Sequence, residues 1–257
     1  MNKQELIKKI IEKKEFSQLP REDIEKAFSK FDKPLYLDEE KIKLTRDLLR
    51  RTFSAFTSKK ILFPKEKSVE WILKKHLSTR ERFSEYSKIY SRLLKGFDEK
   101  INLFDLGAGI NGFSYNFLKK PKITYFGIES MGQLVDITNT YFKQEKINGK
   151  SFHKSLFDLD FVSELIKSPK GKKIIFLFKT IDSLENLEDN YSKKLILTLA
   201  PLTDLFVISF ATKSMIKRNS FYVNRNWIFS FIDKNFKILD DFEINGERYI
   251  SFRNKSL

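Results

Sequence analysis

Residues 104–112 read Phe-Asp-Leu-Gly-Ala-Gly-Ile-Asn-Gly, and this stretch decides the fold. It contains the end of an apolar run, Ile101–Leu106, which predicts a buried strand. The glycines at 107, 109 and 112 have the G-x-G-x-x-G spacing. Without Cβ atoms, such a loop can turn tightly and approach a nucleotide-like ligand closely. An ordinary turn can have the same spacing, so the surrounding sequence has to decide between the two.

The context favours a ligand-binding loop. A second apolar run, at 123–128, is followed by Glu129, about 20 residues after the loop, where a carboxylate can bind both hydroxyls of a ribose. NAD and S-adenosylmethionine (SAM) both use this arrangement. Asp105, two positions before Gly107, suits the ammonium group of SAM, whereas it would repel a pyrophosphate by about 1 kcal/mol or more at close range. The sequence therefore predicts SAM as the cofactor.

Composition excludes several classes of protein. The 257 residues include no cysteine and two histidines, which excludes disulfides and cysteine nucleophiles and argues against a zinc site. No apolar stretch approaches the roughly 20 residues that span a bilayer, and the N-terminus lacks a signal-peptide core. We expect a cytoplasmic, monomeric enzyme with no bound metal and no membrane partner.

The net charge of +15 indicates a polyanionic partner, because Lys and Arg that neutralise phosphates gain affinity by releasing counterions. Residues 1–100 have 26 Lys and Arg against 17 Asp and Glu, a net charge of 26 minus 17, or +9. The alternative is a protein whose Lys-rich faces are merely solvated.

Helical periodicity fills the first 97 residues, and alternating strands and helices fill residues 98–257. We expect helix starts at Asp38, as an N-cap, at Ser68, and at a capping box formed by Ser78 and Glu81. Arg80 and Arg82 then fall in a first helical turn, where the helix dipole disfavours cations, so we expect an anionic partner such as the SAM carboxylate.

The second region predicts an α/β fold, a Rossmann-like class I methyltransferase domain behind an all-helical N-terminal extension. The predicted strands lie at 101–106, 123–128, 150–153, 173–178 and 204–210. The predicted helices lie at 112–119, 131–145, 159–167, 184–199 and 225–234. Asn245-Gly246, between strands at 236–244 and 247–253, predicts a closing hairpin.

The residue inventory narrows the chemistry of methyl transfer. Covalent methylation of cytosine C-5 is excluded because the chain has no cysteine, and no Asn/Asp-Pro-Pro-aromatic motif supports methylation of an exocyclic amine. A ring nitrogen such as guanine N-7 already has a lone pair and needs no base.

Three further positions carry candidate roles. Asp158 either accepts from the adenine amino group, with Phe157 and Leu159 against the ring, or caps a helix. Lys179 ends a strand at the edge where open α/β sheets bind ligands, across a loop from Glu185, although a lysine there is often a surface residue. Residues 212–227 mix cations with aromatic side chains, a pattern typical of nucleic-acid binding but also of a solvated loop.

Four stretches make the chain resemble the aminoglycoside-resistance 16S rRNA (guanine-N-7) methyltransferases over nearly its whole length. They are His76-x-Ser78-Thr79-x-Glu81-Arg82, Asp105-Leu106-Gly107-Ala108-Gly109-Ile110-Asn111, Phe178-Lys179 with Glu185, and Ser209-Phe210-x-Thr212-Lys213-Ser214.

The resemblance implies methylation of a decoding-site guanine in the assembled small ribosomal subunit, with the helical segment 1–97 docking on 16S rRNA. It places Arg82 on the SAM carboxylate, Glu129 on the ribose and Asp158 on the adenine. The predicted cofactor-binding set is Arg82, Asp105, Gly107, Ala108, Gly109, Glu129, Ser130, Phe157, Asp158 and Leu159. The predicted catalytic set is Lys179, Glu185 and Lys213, and the predicted RNA-binding set is Lys213, Lys217, Arg218, Tyr222 and Arg225.

The chain departs from the family's pattern in three places. Ala108 and Gly112 replace the cysteine and proline of the family's Cys-Gly-x-Asn-Pro, Glu129 replaces an aspartate, and the loop from Thr212 to Arg218 is altered. Two other hypotheses therefore stay open: a tRNA methyltransferase, and a non-catalytic rRNA-binding assembly factor.

Overall fold

The structure, a computed structural model, describes residues 1–54, 61, 67–120, 122–212 and 225–255. In this part of the chain, seven strands form one sheet in the order β3-β2-β1-β4-β5-β7-β6. The strands are β1 (Ile101–Leu106), β2 (Ile123–Glu129), β3 (Gly149–His153), β4 (Lys172–Phe178), β5 (Leu205–Ala211), β6 (Phe236–Ile244) and β7 (Glu247–Asn254). The first five are parallel, whereas β7 pairs antiparallel with β5 and with β6.

The helices divide into those that precede β1 in the chain and those that follow it. Before it lie α1 (Lys3–Ile11), α2 (Arg21–Ser29), α3 (Asp38–Leu49), α4 (Val69–Lys75), α5 (Leu77–Arg82) and α6 (Tyr86–Leu93). A π-helical turn, Arg50–Ser54, follows α3, and a 3₁₀ turn, Phe83–Glu85, separates α5 from α6. Between and after the parallel strands lie α7 (Gly132–Gln144), α8 (Leu159–Lys167), α9 (Ile181–Leu187), α10 (Tyr191–Leu199) and α11 (Asn226–Asn235).

Strand alternation sends side chains to two apolar layers, because successive residues of a strand point to opposite faces. Leu103 and Phe176 face a layer that includes buried residues of α1, α2, α4, α6 and α7. Phe104 and Ile175 face a second layer, built with α8, α10 and α11. The N-terminal helices thus cover one face of the sheet: Tyr90 of α6 stacks on Phe176, with ring centroids 5.9 Å apart.

The class of fold and the helical N-terminal region agree with the sequence-based prediction, and the closing hairpin forms where it was expected. Asn245 and Gly246 both have positive φ, 50° and 78°, as a two-residue turn with the twist of a hairpin requires. Ser68 caps α4, its hydroxyl accepting from the amide of Trp71.

Five local predictions are wrong. Arg80 and Arg82 lie in the last turn of α5 and not in a first helical turn, so the helix dipole does not disfavour them. Asp38 is the first residue of α3 and holds the N-terminal amine, while Leu37 is the N-cap. Ser78 and Glu81 form no capping box, because the Ser78 hydroxyl contacts His76 and the Glu81 carboxylate accepts from Lys179. The helix expected at 184–199 is two helices, broken at Asn190, whose φ of 62° is left-handed. The helix expected at 112–119 is a 3₁₀ helix, Asn111–Phe117.

None of the helices in the described ranges is long and apolar enough to cross a bilayer.

Candidate active site

A cleft of about 760 Å³, measured to its open mouth, lies at the carboxyl ends of the parallel strands. Gly107 and Gly109 line it after β1, Glu129 and Ser130 after β2, and Phe157 after β3. Ligands of open α/β sheets bind at this edge, so the parallel strands and the glycine loop lead to the same place.

The glycine loop needs two of its glycines for different reasons. Gly107 has a φ of 71°, and a Cβ on it would lie 2.6 Å from Oγ1 of Thr180. Gly109 has a φ of 52°, a left-handed conformation that side chains disfavour. The amides of Gly107 and Ala108 donate to the carbonyl of Ile128, at 2.9 and 3.0 Å, and tie the loop to β2.

Glu129 joins the loop to the end of β2. Its Oε2 accepts from the amide of Gly109 and its Oε1 from the amide of Met131, both at 2.8 Å. Burial raises the pKa of Glu129, and the amides of Met131 and Gly109 partly offset the rise. The carboxylate therefore lies in the wall of the cleft with a fixed orientation.

Asp105 lies behind the loop instead of in the cleft lining. Its Oδ2 accepts from the side-chain amide (Nδ2) of Asn111 at 2.7 Å and from the hydroxyl of Tyr125 at 2.5 Å. Burial raises the pKa of Asp105 to about 6, although Tyr125 and Asn111 lower it. Through Asn111, which also accepts from Arg82 at 3.1 Å, Asp105 belongs to a buried polar network.

Arg82 belongs to the same network and does not line the cleft. Its Nε donates to Glu247 at 3.0 Å, and the guanidinium lies 5.0 Å from the ring centre of Phe178. The sequence predicts an anionic partner for Arg82, and in the structure the anion that it contacts is Glu247 of β7. Burial alone would raise the pKa of Glu247, but Arg82 and Lys179 hold it below its usual value.

Lys179 is a buried cation of the cleft wall and not an exposed surface residue. Its side chain is 5 % exposed, and its ammonium contacts Glu81 at 2.5 Å and Glu247 at 3.0 Å. Its φ of 54° is left-handed, and Glu81, which its ammonium contacts, belongs to α5 of the helical segment. Glu185 is elsewhere: it accepts the amides of Asn190 and Ser192, at 2.6 and 2.8 Å, at the start of α10.

His76 is a neutral imidazole in the cleft wall. Burial, together with the nearby charges of Arg82 and Lys179, lowers its pKa to about 3. Its Nδ1 lies 3.0 Å from the hydroxyl of Ser78. A group with so low a pKa is a weak base at neutral pH.

Of the predicted cofactor residues after β3, the structure brings Phe157 alone to the cleft. Asp158 is the N-cap of α8, accepting from the amide of Phe161 at 3.1 Å, and Lys154 contacts its other oxygen at 3.3 Å. Leu159 begins that helix and packs on the second apolar layer.

The predicted RNA-binding residues are divided between two situations. Arg225 is 8 % exposed and donates to Asp182 at 2.5 Å and to the carbonyl of Ala211 at 2.9 Å. The other members, Lys213, Lys217, Arg218 and Tyr222, lie outside the described residues.

Sequence reasoning missed the contribution of the N-terminal helices to the cleft. Asp23 of α2 and the residues Thr52 and Phe53 of the π-helical turn line it together with Met131. Asp23 follows Glu22 in the first turn of α2, where acidic residues are common because of the helix dipole, so its sequence gave no separate signal. Within the described ranges, no group of three or more His, Asp or Glu side chains could hold a metal ion.

A family model described as ribosomal RNA methyltransferase (FmrO) matches residues 35–232, which is 198 of the 257 residues. The chain belongs to this family. Membership of the FmrO family confirms the resemblance inferred from the sequence. It also confirms the prediction of a methyltransferase, with SAM and not NAD as the cofactor. Among curated proteins, no sequence matches significantly.

Solved structures share the fold over the whole chain. The 16S rRNA methyltransferase RmtF, in complex with S-adenosylhomocysteine, is 16 % identical with a TM-score of 0.77, covering 99 % of this chain and 100 % of RmtF. An rRNA methylase from Escherichia coli has the same identity, TM-score and coverage. The 16S rRNA methylase ArmA is 24 % identical with a TM-score of 0.59, covering 78 % of this chain and 100 % of ArmA.

The cleft of this FmrO-family protein fits SAM by its own chemistry. The glycine loop leaves its backbone accessible at Gly109, Glu129 supplies an oriented carboxylate, and Asp23 has one buried oxygen without a protein partner among the described residues. A cofactor with a ribose, an amine and an aromatic base supplies hydrogen-bond donors for such groups.

Proposed function

We propose that the protein methylates N-7 of a guanine in the decoding site of 16S rRNA, within the assembled small ribosomal subunit. The match of a ribosomal RNA methyltransferase model to three-quarters of the chain is the observation that carries the proposal. The fold shared with RmtF and ArmA, both described as 16S rRNA methylases, supports the choice of rRNA.

Two titratable groups of the cleft, His76 and Lys179, support a target that needs no deprotonation. His76, with its low pKa, is a weak base, and Lys179 is held by Glu81 and Glu247. Glu129 accepts two backbone amides at the cofactor end. Guanine N-7 carries a lone pair that can attack a methyl group directly, so orientation and electrostatics suffice.

When bound, SAM supplies an electrophilic methyl group on a sulfonium. Glu129 and the loop at Gly109 would hold the ribose, and Phe157 would pack on the adenine. The proposed contribution of Lys179 is to fix the cleft wall through its contacts with Glu81 and Glu247. Lys213, which lies outside the described residues, and Glu185 stay sequence-based predictions for the catalytic set.

The helical segment 1–97 is the proposed docking surface for rRNA. Lys8, Lys9 and Lys13 are exposed on and just after α1, whereas buried apolar residues of this segment pack against the sheet. Lysines on an exposed face can neutralise phosphates without disturbing the core. Action on ribosomes also places the protein in the cytoplasm.

The proposal is tested by incubating the purified protein with methyl-labelled SAM and three substrates: small ribosomal subunits, protein-free 16S rRNA and tRNA. We expect labelling of the subunits and little of the other two, because the docking surface recognises a shape built by assembly. Labelling of tRNA with none on the subunits would overturn the proposal. Glu129→Ala provides the control, since it should lower labelling of every substrate.

A further inference from the structure

Asp23 is a buried carboxylate of the cofactor cleft that comes from the N-terminal helices. It lies in the first turn of α2, is 1 % exposed, and lines the cleft beside Ser130 and Phe157. Aspartate is rarely buried to this extent without a partner. Its position therefore calls for an explanation that the helix alone does not provide.

Asp23 uses only one of its two oxygens within the protein. Oδ1 accepts from the hydroxyl of Ser155 at 2.5 Å, whereas Oδ2 is buried and has no hydrogen-bond partner among the described residues. A buried acceptor left without a hydrogen-bond partner destabilises the folded protein. Burial raises the pKa of Asp23 to about 6, with Ser155 and Ser130 partly offsetting the rise, so the carboxylate is mostly ionised at neutral pH.

Asp23 lies beside Phe157, the residue proposed to pack on the adenine. Ser155, its partner, also accepts from the amide of Phe157 at 3.0 Å, so one hydroxyl fixes both the carboxylate and the aromatic residue that lines the cleft. Glu129, on the ribose side, is close enough for Asp23 to raise its pKa. Asp158, the sequence-based candidate for the adenine, is occupied by the amide of Phe161 and by Lys154.

We propose that Asp23 recognises the adenine of the cofactor, with Oδ2 accepting a hydrogen bond from the exocyclic amino group. The helical segment then completes the cofactor site as well as docking on rRNA. This inference concerns cofactor binding and does not depend on which nucleotide is methylated.

Calorimetry with two ligands tests the assignment: S-adenosylhomocysteine, and its analogue in which hydrogen replaces the exocyclic amine. The wild-type protein should bind the analogue at least about tenfold more weakly, which is about 1.4 kcal/mol. In Asp23→Ala the two ligands should differ by less than about twofold. Glu22→Ala, which removes an exposed carboxylate one position away, should keep the wild-type preference.

Two further measurements distinguish recognition of the adenine from a merely structural role of Asp23. Thermal melting without ligand should leave Asp23→Asn at least as stable as the wild type, because the substitution removes a buried charge. If Asp23→Ala does not fold, Asp23→Asn replaces it and should reduce the preference for the amine at least about threefold. Equal loss of both ligands in the variants, or wild-type binding without preference for the amine, would overturn the proposal, while failure of the wild type to bind either ligand would contradict the methyltransferase function itself.

Discussion

At the scale of single residues, two carboxylates that the sequence predicts to bind the cofactor have different surroundings. Glu129 faces the cleft and accepts the amides of Gly109 and Met131, whereas Asp105 lies behind the loop and accepts from Asn111 and Tyr125. Both positions follow from the ends of strands, but which of the two faces the ligand depends on side chains far away in sequence. We infer that Asp105 orients the loop and that Glu129 contacts the cofactor.

Replacing Glu129 with Gln should raise the dissociation constant of SAM at least about tenfold. Loss of one charged partner from a desolvated hydrogen-bonded pair typically costs about 2 to 5 kcal/mol, and tenfold corresponds to about 1.4. Glu145→Gln, at an exposed position just after α7, is the matched control for calorimetry. Unchanged affinity in Glu129→Gln would remove Glu129 from the cofactor site.

Replacing Arg82 with Ala should lower the stability of the fold more than it lowers the affinity for SAM. Breaking a buried ion pair costs about 3 to 5 kcal/mol, because Glu247 keeps its charge. For a chain of this size, the melting temperature should fall on the order of 10 °C. Arg92→Ala is the control, since the pair of Arg92 with Asp240 is half exposed and worth about 1 kcal/mol or less.

The opposite pattern would be informative. If Arg82→Ala melts like the wild type but no longer binds SAM, then Arg82 contacts the cofactor carboxylate as the resemblance implies, and its pair with Glu247 is secondary.

At the scale of elements, the sequence predicts those helices, strands and turns that depend on neighbouring residues alone. Asn245-Gly246 determines a hairpin by turn chemistry alone, and the run Ile101–Leu106 is apolar enough to be a strand in any setting. The break at Asn190 was missed because apolar periodicity continues across it, and a single left-handed residue leaves no such signature. The packing of α2 against the cleft was also missed, because it depends on contacts between residues 23 and 155.

Lys26 of α2 gives a test of how that helix supports the cofactor site. Its ammonium lies 4.6 Å from the ring centre of Phe157 and also contacts Glu188. A cation over an aromatic ring is worth about 0.5 to 1 kcal/mol at a partly exposed site. Lys26→Ala should therefore weaken binding of S-adenosylhomocysteine by roughly two- to fivefold.

Lys30→Ala is the matched control for Lys26→Ala. Lys30 also joins α2 to the turn before α10, through Asp189 at 3.0 Å, but among the described residues neither Lys30 nor Asp189 lines the cleft. Its substitution should leave the affinity unchanged. Equal effects of the two substitutions would mean that charge in general, and not the contact with Phe157, matters for the cofactor.

At the scale of the whole molecule, the basic N-terminal segment also helps to build the cleft. The segment 1–97 is basic, and it also covers one face of the sheet and supplies part of the cleft wall. Asp23 and Phe53, both from this segment, line the cleft together with the ends of the strands. Periodicity identifies apolar faces of helices but does not say which surface they cover.

The salt dependence of binding to small subunits should separate RNA contacts from internal ones. Lys217→Ala and Arg218→Ala should each flatten the slope of log affinity against log salt by roughly 0.7 to 0.9. Arg225→Ala should leave the slope unchanged and lower the melting temperature, because Arg225 holds Asp182 and the carbonyl of Ala211. A flattened slope in Arg225→Ala at unchanged stability would return that residue to the RNA-binding set.

The position and chemistry of the methyl group on 16S rRNA test the central claim most directly. Small subunits are incubated with enzyme and SAM, and their rRNA is then treated with borohydride and aniline. This treatment cleaves the RNA strand at 7-methylguanine, and primer extension maps the cleavage site. We predict one enzyme-dependent and SAM-dependent stop at a decoding-site guanine, absent when Glu129→Ala replaces the wild type. Methyl label incorporated into 16S rRNA without any enzyme-dependent cleavage would contradict methylation at N-7.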